Sequence, residues 1–130
     1  MGTCFILYLA ILIALLLNLS PTNFCLVGDL NARIGEKQVL NSNLIQKLPH
    51  INEIRFSKDK IVNRNGKRLM DFVDDLGGIV LNGRTNGDAS AEFSFCGGGG
   101  SSVIDYCICS HSLLSYIDEF SVACKPYSDH

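Results

Sequence analysis

Leu69, Phe72, Val73 and Leu76 recur at i, i+3, i+4 and i+7, the Gly77-Gly78 pair follows at once, and Ile79-Val80-Leu81 comes directly after. This order predicts an amphipathic helix that starts after a turn at Asn63, Asn65 and Gly66, is stopped by glycine and runs into a strand. Further short apolar runs lie on both sides. Phe24 to Val27 predicts a buried strand that turns at Gly28, Phe93-Ser94-Phe95 a short alternating strand, and Val103 to Cys109 another buried strand. Leu113 to Ile117 predicts a helical turn and Phe120 to Ala123 a last strand, while Asn82 to Ser90 is rich in turn formers. Gly97 to Gly100 predicts a hairpin connection; without a following Gly-Lys-Ser/Thr it is no phosphate-cradling loop. Interleaved strand and helix segments without a repeat predict a layered α/β or α+β domain.

The 130 residues bound the chain to one domain, and 47% hydrophobic against 18% charged residues describe a chain that packs. A net charge of −2 excludes a global electrostatic drive toward nucleic acid, so any polyanion contact is local. Arg55, Lys58, Lys60, Arg64, Lys67 and Arg68, with Asp59 the one acid among them, form the candidate stretch, whose plainer reading is a solvated loop and helix start. The six cysteines, Cys4, Cys25, Cys96, Cys107, Cys109 and Cys124, lack the paired spacing of a zinc site. Cys25, Cys107 and Cys124 sit in apolar runs and are expected as free buried thiols.

Residues 1–23 form an opening segment in which Cys4 to Leu17 is uninterruptedly apolar, shorter than a membrane span but as long as a signal-peptide core. No basic residue precedes it and no clean cleavage site follows, so a signal or membrane anchor and a buried helix both stay open. Residues 24–130 make up the domain.

Three clusters carry the chemistry. Gly28-Asp29-Leu30-Asn31-Ala32 closes the first strand, Ser102-Val103-Ile104-Asp105-Tyr106 opens a later one, and Ser128-Asp129-His130 ends the chain. Two carboxylates, an amide and an imidazole are what phosphodiester hydrolysis asks for: a positioned water, donors to the phosphoryl oxygens and a proton acceptor. Asp29 orients or deprotonates the water and Asn31 donates to it or to the phosphate; the plainer reading of Gly-Asp-x-Asn is turn chemistry. Asp105, in an apolar run, needs a strong partner, and His130 fits as a general base that Asp105 orients.

The ordered series formed by these clusters with Asn65-Gly66, Leu69, Phe72, Leu81-Asn82-Gly83 and Phe93-Ser94-Phe95 resembles the endonuclease/exonuclease/phosphatase superfamily. The resemblance is to the endonuclease domain of LINE-type (non-LTR) retrotransposons, related to apurinic/apyrimidinic endonucleases and pancreatic deoxyribonuclease. It implies a partial four-layer α/β sandwich, roughly the C-terminal half of such a domain. It further implies a Mg²⁺-dependent, DNA-nicking phosphodiesterase. Asp29, Asn31, Asp105 and His130 would then be catalytic, Asp129 would lie toward the metal, and Ser94 and Ser102 would face the phosphate.

Relatives of this kind are roughly twice as long, and their first half supplies an asparagine and a metal-anchoring glutamate. No acidic residue precedes Asp29 here, and relatives continue past the position of His130 into a closing strand. The expectation is therefore a truncated endonuclease domain that is inactive alone, or one completed by a separate N-terminal half. The rival expectation is a non-catalytic protein, secreted or attached to a membrane through residues 4–17. An intracellular location follows from the resemblance, a secreted or membrane-attached one from a signal or anchor at the start.

Overall fold

The computed structural model describes residues 23–122. Strand β1 (Cys25–Asp29) is followed by one short helical turn, α1 (Ser42–Ile45), the long helix α2 (Arg64–Leu76) and β2 (Gly78–Val80). A 3-10 turn (Asn86–Asp88), the hairpin β3 (Phe95–Gly97) and β4 (Gly100–Ser102), strand β5 (Asp105–Ser110) and a second 3-10 turn (His111–Tyr116) complete the order. β5 lies between β1 and β2 and is antiparallel to both, and β3 and β4 pair separately. The class is α+β, with mixed helices and antiparallel sheets.

Alternation along β5 builds two cores, one on each face of this sheet. Tyr106 and Ile108 point with Leu26 and Val80 toward Leu69, Met70 and Val73 of α2. Cys107 and Cys109 point with Ile79 toward Leu40, Ile51, Leu81 and Leu114. Period-two alternation in the strands and the 69/70/73 stripe of α2 thus address the same layer.

Helix α2 starts where Asn63 caps it. The Asn63 Oδ1 accepts from the N–H of Gly66 at 2.8 Å and from the N–H of Arg33 at 3.0 Å, so one side chain both starts the helix and moors it to the preceding loop. Gly66 therefore lies inside the first helical turn rather than in a turn before it. An added Cβ there would stand 1.8 Å from the Arg33 carbonyl oxygen. Gly77 closes the helix in the left-handed conformation at φ 69°, and its N–H bonds back to Asp74.

Several expectations are corrected. Asp29 is the last residue of β1 rather than a residue beyond it. Pairing in the hairpin begins at Phe95, because Ser94 uses its N–H and hydroxyl on Ser102 and on the start of β5, so Phe93-Ser94-Phe95 is not a strand. β5 begins at Asp105, not at Val103, since Asp59 Oδ2 takes the Val103 N–H at 3.0 Å. Positions 120–122 form no strand, and the rest of that segment lies outside the described residues. Cys25 is exposed because β1 is held by one neighbour only, whereas Cys107 and Cys109 are buried as free thiols; Cys4 and Cys124 lie outside the described residues. Arg55 is not a surface cation but fully buried.

Asp59 is the principal buried acid of the loop before α2. Arg33 grips it with two bonds of 2.8 Å each, and the N–H groups of Val103 and Ile61 bind it at 3.0 and 3.1 Å. Burial works to raise its pKa, but the Arg33 side chain and the two N–H donors outweigh burial and hold it below the usual aspartate value. A depressed folded-state pKa stabilises the fold fully above the unfolded value of about 3.9 and loses that contribution as pH falls through the folded value. Denaturant midpoints measured from pH 6 downward should therefore fall steeply in acid, and Asp59→Asn should start lower and fall less. Equal acid slopes in the two proteins would contradict this assignment.

Candidate functional site

The β1–β5 ladder ends on two carboxylates. Asp29 pairs with Asp105, Val27 with Cys107 and Cys25 with Cys109. The Leu30 N–H bonds to the Ile104 carbonyl at 2.9 Å and the Ser110 N–H to the Phe24 carbonyl at 2.9 Å. Those positions are hydrogen-bonded, so the odd-numbered pairs are the non-bonded ones, where facing side chains come closest. Asp29 and Asp105 thus face each other on the side of the sheet that carries Cys107 and Cys109. Both are half-buried, which corrects the expectation of an Asp105 sunk in mid-strand.

Neighbouring groups fix this pair. Asn31, exposed and left-handed at φ 48°, gives its N–H to Asp29 Oδ1 at 2.8 Å, so the chain turns sharply just past the carboxylate. Asn65 on the first turn of α2 donates to the Asn31 carbonyl at 3.3 Å. The Ser94 hydroxyl accepts the N–H groups of Ile104 and Asp105 at 2.9 and 3.0 Å, pinning the start of β5. Ser102 ends β4 and its carbonyl takes the Ser94 N–H at 3.0 Å, so Ser94, not Ser102, is the serine that touches Asp105. Asp129 and His130 lie outside the described residues.

Asn82 has a structural role that its sequence context does not announce. It is fully buried just beyond β2, donates to the Asp105 carbonyl at 3.0 Å and accepts the Cys107 N–H at 3.0 Å. Its amide thereby continues the β2–β5 ladder after the backbone of β2 has turned away, and it sets the height of Asp105. The sequence signal was its place in Leu81-Asn82-Gly83 after a strand, which reads equally well as a turn.

Two carboxylates offer hard oxygen donors, which suit Mg²⁺, an ion that takes one or two carboxylates and completes its shell with water and phosphate. The fit is partial, because among the described residues no group of three or more His, Cys, Asp or Glu could hold a metal ion. Also among them, no helix is long and apolar enough to cross a membrane, and residues 4–17 fall outside that range. No family model, curated protein or solved structure matches the chain.

Proposed function

We propose that this chain carries part of a metal-assisted phosphodiesterase site, of the kind found in LINE-type retrotransposon endonucleases, acting on DNA. The observation that carries the reading is the direct cross-strand pairing of Asp29 with Asp105, two residues named independently from motifs 76 positions apart. Core residues on both faces of β5 and β2 support the finer proposal of a four-layer sandwich of the endonuclease/exonuclease/phosphatase type, although β1 leaves Cys25 and Val27 exposed. In this reading Asp29 orients the attacking water, Asn31 donates to the phosphate, and Ser94 and Ser102 line the approach beside Asp105. Asp105 holds the imidazole of His130 as base, and Asp129 lies toward the metal. Bound Mg²⁺ would supply charge neutralisation at the phosphoryl and leaving oxygens.

The proposal includes inactivity of the chain by itself, since two facing carboxylates are a sparse set for Mg²⁺ and, among the described residues, no third His, Cys, Asp or Glu joins them. Supercoiled plasmid with Mg²⁺ tests it. The chain alone should leave the plasmid intact, and mixing it with a glutamate-bearing first half of a LINE endonuclease domain should produce nicks that Asp29→Asn, Asp105→Asn and His130→Ala each abolish. Nicking by the chain alone, lost in His130→Ala, would overturn the inactivity; nicks in the mixture that survive all three substitutions would overturn the site.

A further inference from the structure

Three thiols share one face of the β1–β5 ladder, and they differ in what can reach them. Cys25 lies on the edge strand and is exposed, whereas Cys107 and Cys109 lie on the central strand and are buried. The core on that face is built on Leu40, Ile79, Leu81 and Leu114 against β5 and includes no residue of β1, where Val27 is 67% exposed. Cys109 stands directly across from Cys25, and Cys107 stands on the diagonal. The Sγ atoms of Cys25 and Cys107 are 3.8 Å apart, close enough for one thiol to donate to the other. A thiol that solvent reaches thus rests on one that solvent does not.

The backbone of Cys107 is fixed. Its N–H is taken by Asn82 Oδ1 at 3.0 Å and its carbonyl takes the Leu81 N–H at 2.9 Å. Burial, and then the neighbouring Cys25, push its thiol up to about 12, so at neutral pH it keeps its proton. β1 is held by one strand only, so Cys25 supplies the movement that brings the sulfurs from contact to the bonded distance of about 2 Å. Cys96 is the contrast: it is exposed as well, but its sulfur accepts from the Ser101 hydroxyl at 3.5 Å, and no thiol among the described residues lies against it.

We infer that Cys25 and Cys107 form a redox-reactive dithiol that a small disulfide of the oxidised-glutathione class converts to an internal disulfide, with Cys25 as the entry thiol and Cys107 as the resolving one. The Cys25 sulfur attacks one sulfur of the small disulfide, whose S–S bond breaks; one small thiol leaves with the Cys25 proton, and a mixed disulfide remains on Cys25. Cys107 then attacks the Cys25 sulfur against which it lies, the bond to the small molecule breaks, and the Cys107 proton leaves with the second small thiol. The protein has lost two hydrogens and the small disulfide has become two thiols. The new bond ties the edge strand that ends on Asp29 to the strand that begins at Asp105. The thiol chemistry requires nothing of the phosphodiesterase reading.

The test is peptide mapping by mass spectrometry of the reduced full chain after exposure to oxidised glutathione and an acid quench. The dominant linkage should join the Cys25 and Cys107 peptides, while Cys96 carries glutathione. In Cys25→Ser, a change at an exposed position that the fold tolerates, Cys107 should stay a free thiol while Cys96 still reacts. The yield of the Cys25–Cys107 linkage should drop severalfold when the chain is oxidised in urea, where 82 positions separate the two thiols and no sheet holds them together. The oxidised parent should unfold at higher urea than the reduced one, and reductant should remove the difference. Glutathione retained on Cys25 beside a free Cys107, a greater yield of Cys25 linked to any other cysteine, an equal yield from the unfolded chain, or a lower urea midpoint after oxidation would each overturn the inference.

Discussion

Arg84→Met is expected to lose about 3–5 kcal/mol of folding stability, most of what a domain of this size holds. Arg84 is fully buried, yet it faces carbonyls rather than a carboxylate. Its Nε donates to Val80 O at 2.6 Å, its Nη1 to Asn52 O at 3.0 Å and Glu53 O at 2.9 Å, and its Nη2 to Gln38 O at 2.6 Å. One guanidinium thus joins the end of β2 to the loops at 38 and 52–53. Burial, and then the neighbouring Arg55, push its pKa down to about 9, still charged at neutral pH. Met fills the volume and relieves the buried charge, but the Val80, Asn52 and Gln38 carbonyls lose their donor, at about 1–3 kcal/mol each before water or relaxation recovers part, while Glu53 O keeps the Leu40 N–H. Lys cannot repeat the planar fork, so Arg84→Lys should fall almost as far. A urea midpoint within error of the parent, with unchanged slope, would contradict this account.

Gly66→Ala is the second large effect, and its sign is what makes it informative. On an exposed helix surface the change gains about 1 kcal/mol, because Ala is the better helix former. Here the new methyl would meet the Arg33 carbonyl oxygen at 1.8 Å and its carbon at 2.6 Å, so the first turn of α2 must back away from the loop at 31–33. Withdrawal breaks the two Asn63 bonds to Arg33 and the Asn65 bond to Asn31. A loss of about 2–4 kcal/mol is expected by denaturant melting, in the range of a severe overpacking. A gain in stability would show that α2 and the Asn31 turn are not in register as described.

The same residues mark how far the sequence could be read. The helix, its glycine stop and the strand after it were legible because each rests on local chemistry: a helical period, a left-handed cap and a β-branched run; its buried stripe is corrected from 69/72/73/76 to 69/70/73, with Phe72 and Leu76 only half-buried. Local chemistry also identified the apolar strand before Asp29, though pairing with β5 carries it through Gly28 to Asp29 instead of turning at Gly28. Long-range bonds moved the boundaries. Asn63 reaches Arg33 and pulls Gly66 into the helix, Asp59 takes the Val103 N–H and shortens β5, and Ser94 leaves its strand to hold Asp105. Arg55 and Arg84 could not be read as buried, since an arginine in a polar stretch looks solvated until folding brings carbonyls around it. For the site, the types and order of Asp29, Asn31 and Asp105 were legible and their register was not. That two of them face each other follows from antiparallel pairing, which no single motif contains, and the role of Asn82 as a surrogate backbone follows from the early end of β2.

Paramagnetic Mn²⁺, a hard cation with Mg²⁺-like ligand preference, tests the convergence most directly when titrated into the isotope-labelled full chain and followed by amide NMR. The account predicts that the signals of Asp29, Asn31, Asp105 and His130 broaden first and together, and that Asp29→Asn and Asp105→Asn each abolish the effect. Broadening that begins elsewhere, spreads evenly over the acidic surface, or spares His130 while Asp29 and Asp105 respond would contradict a common phosphodiester site.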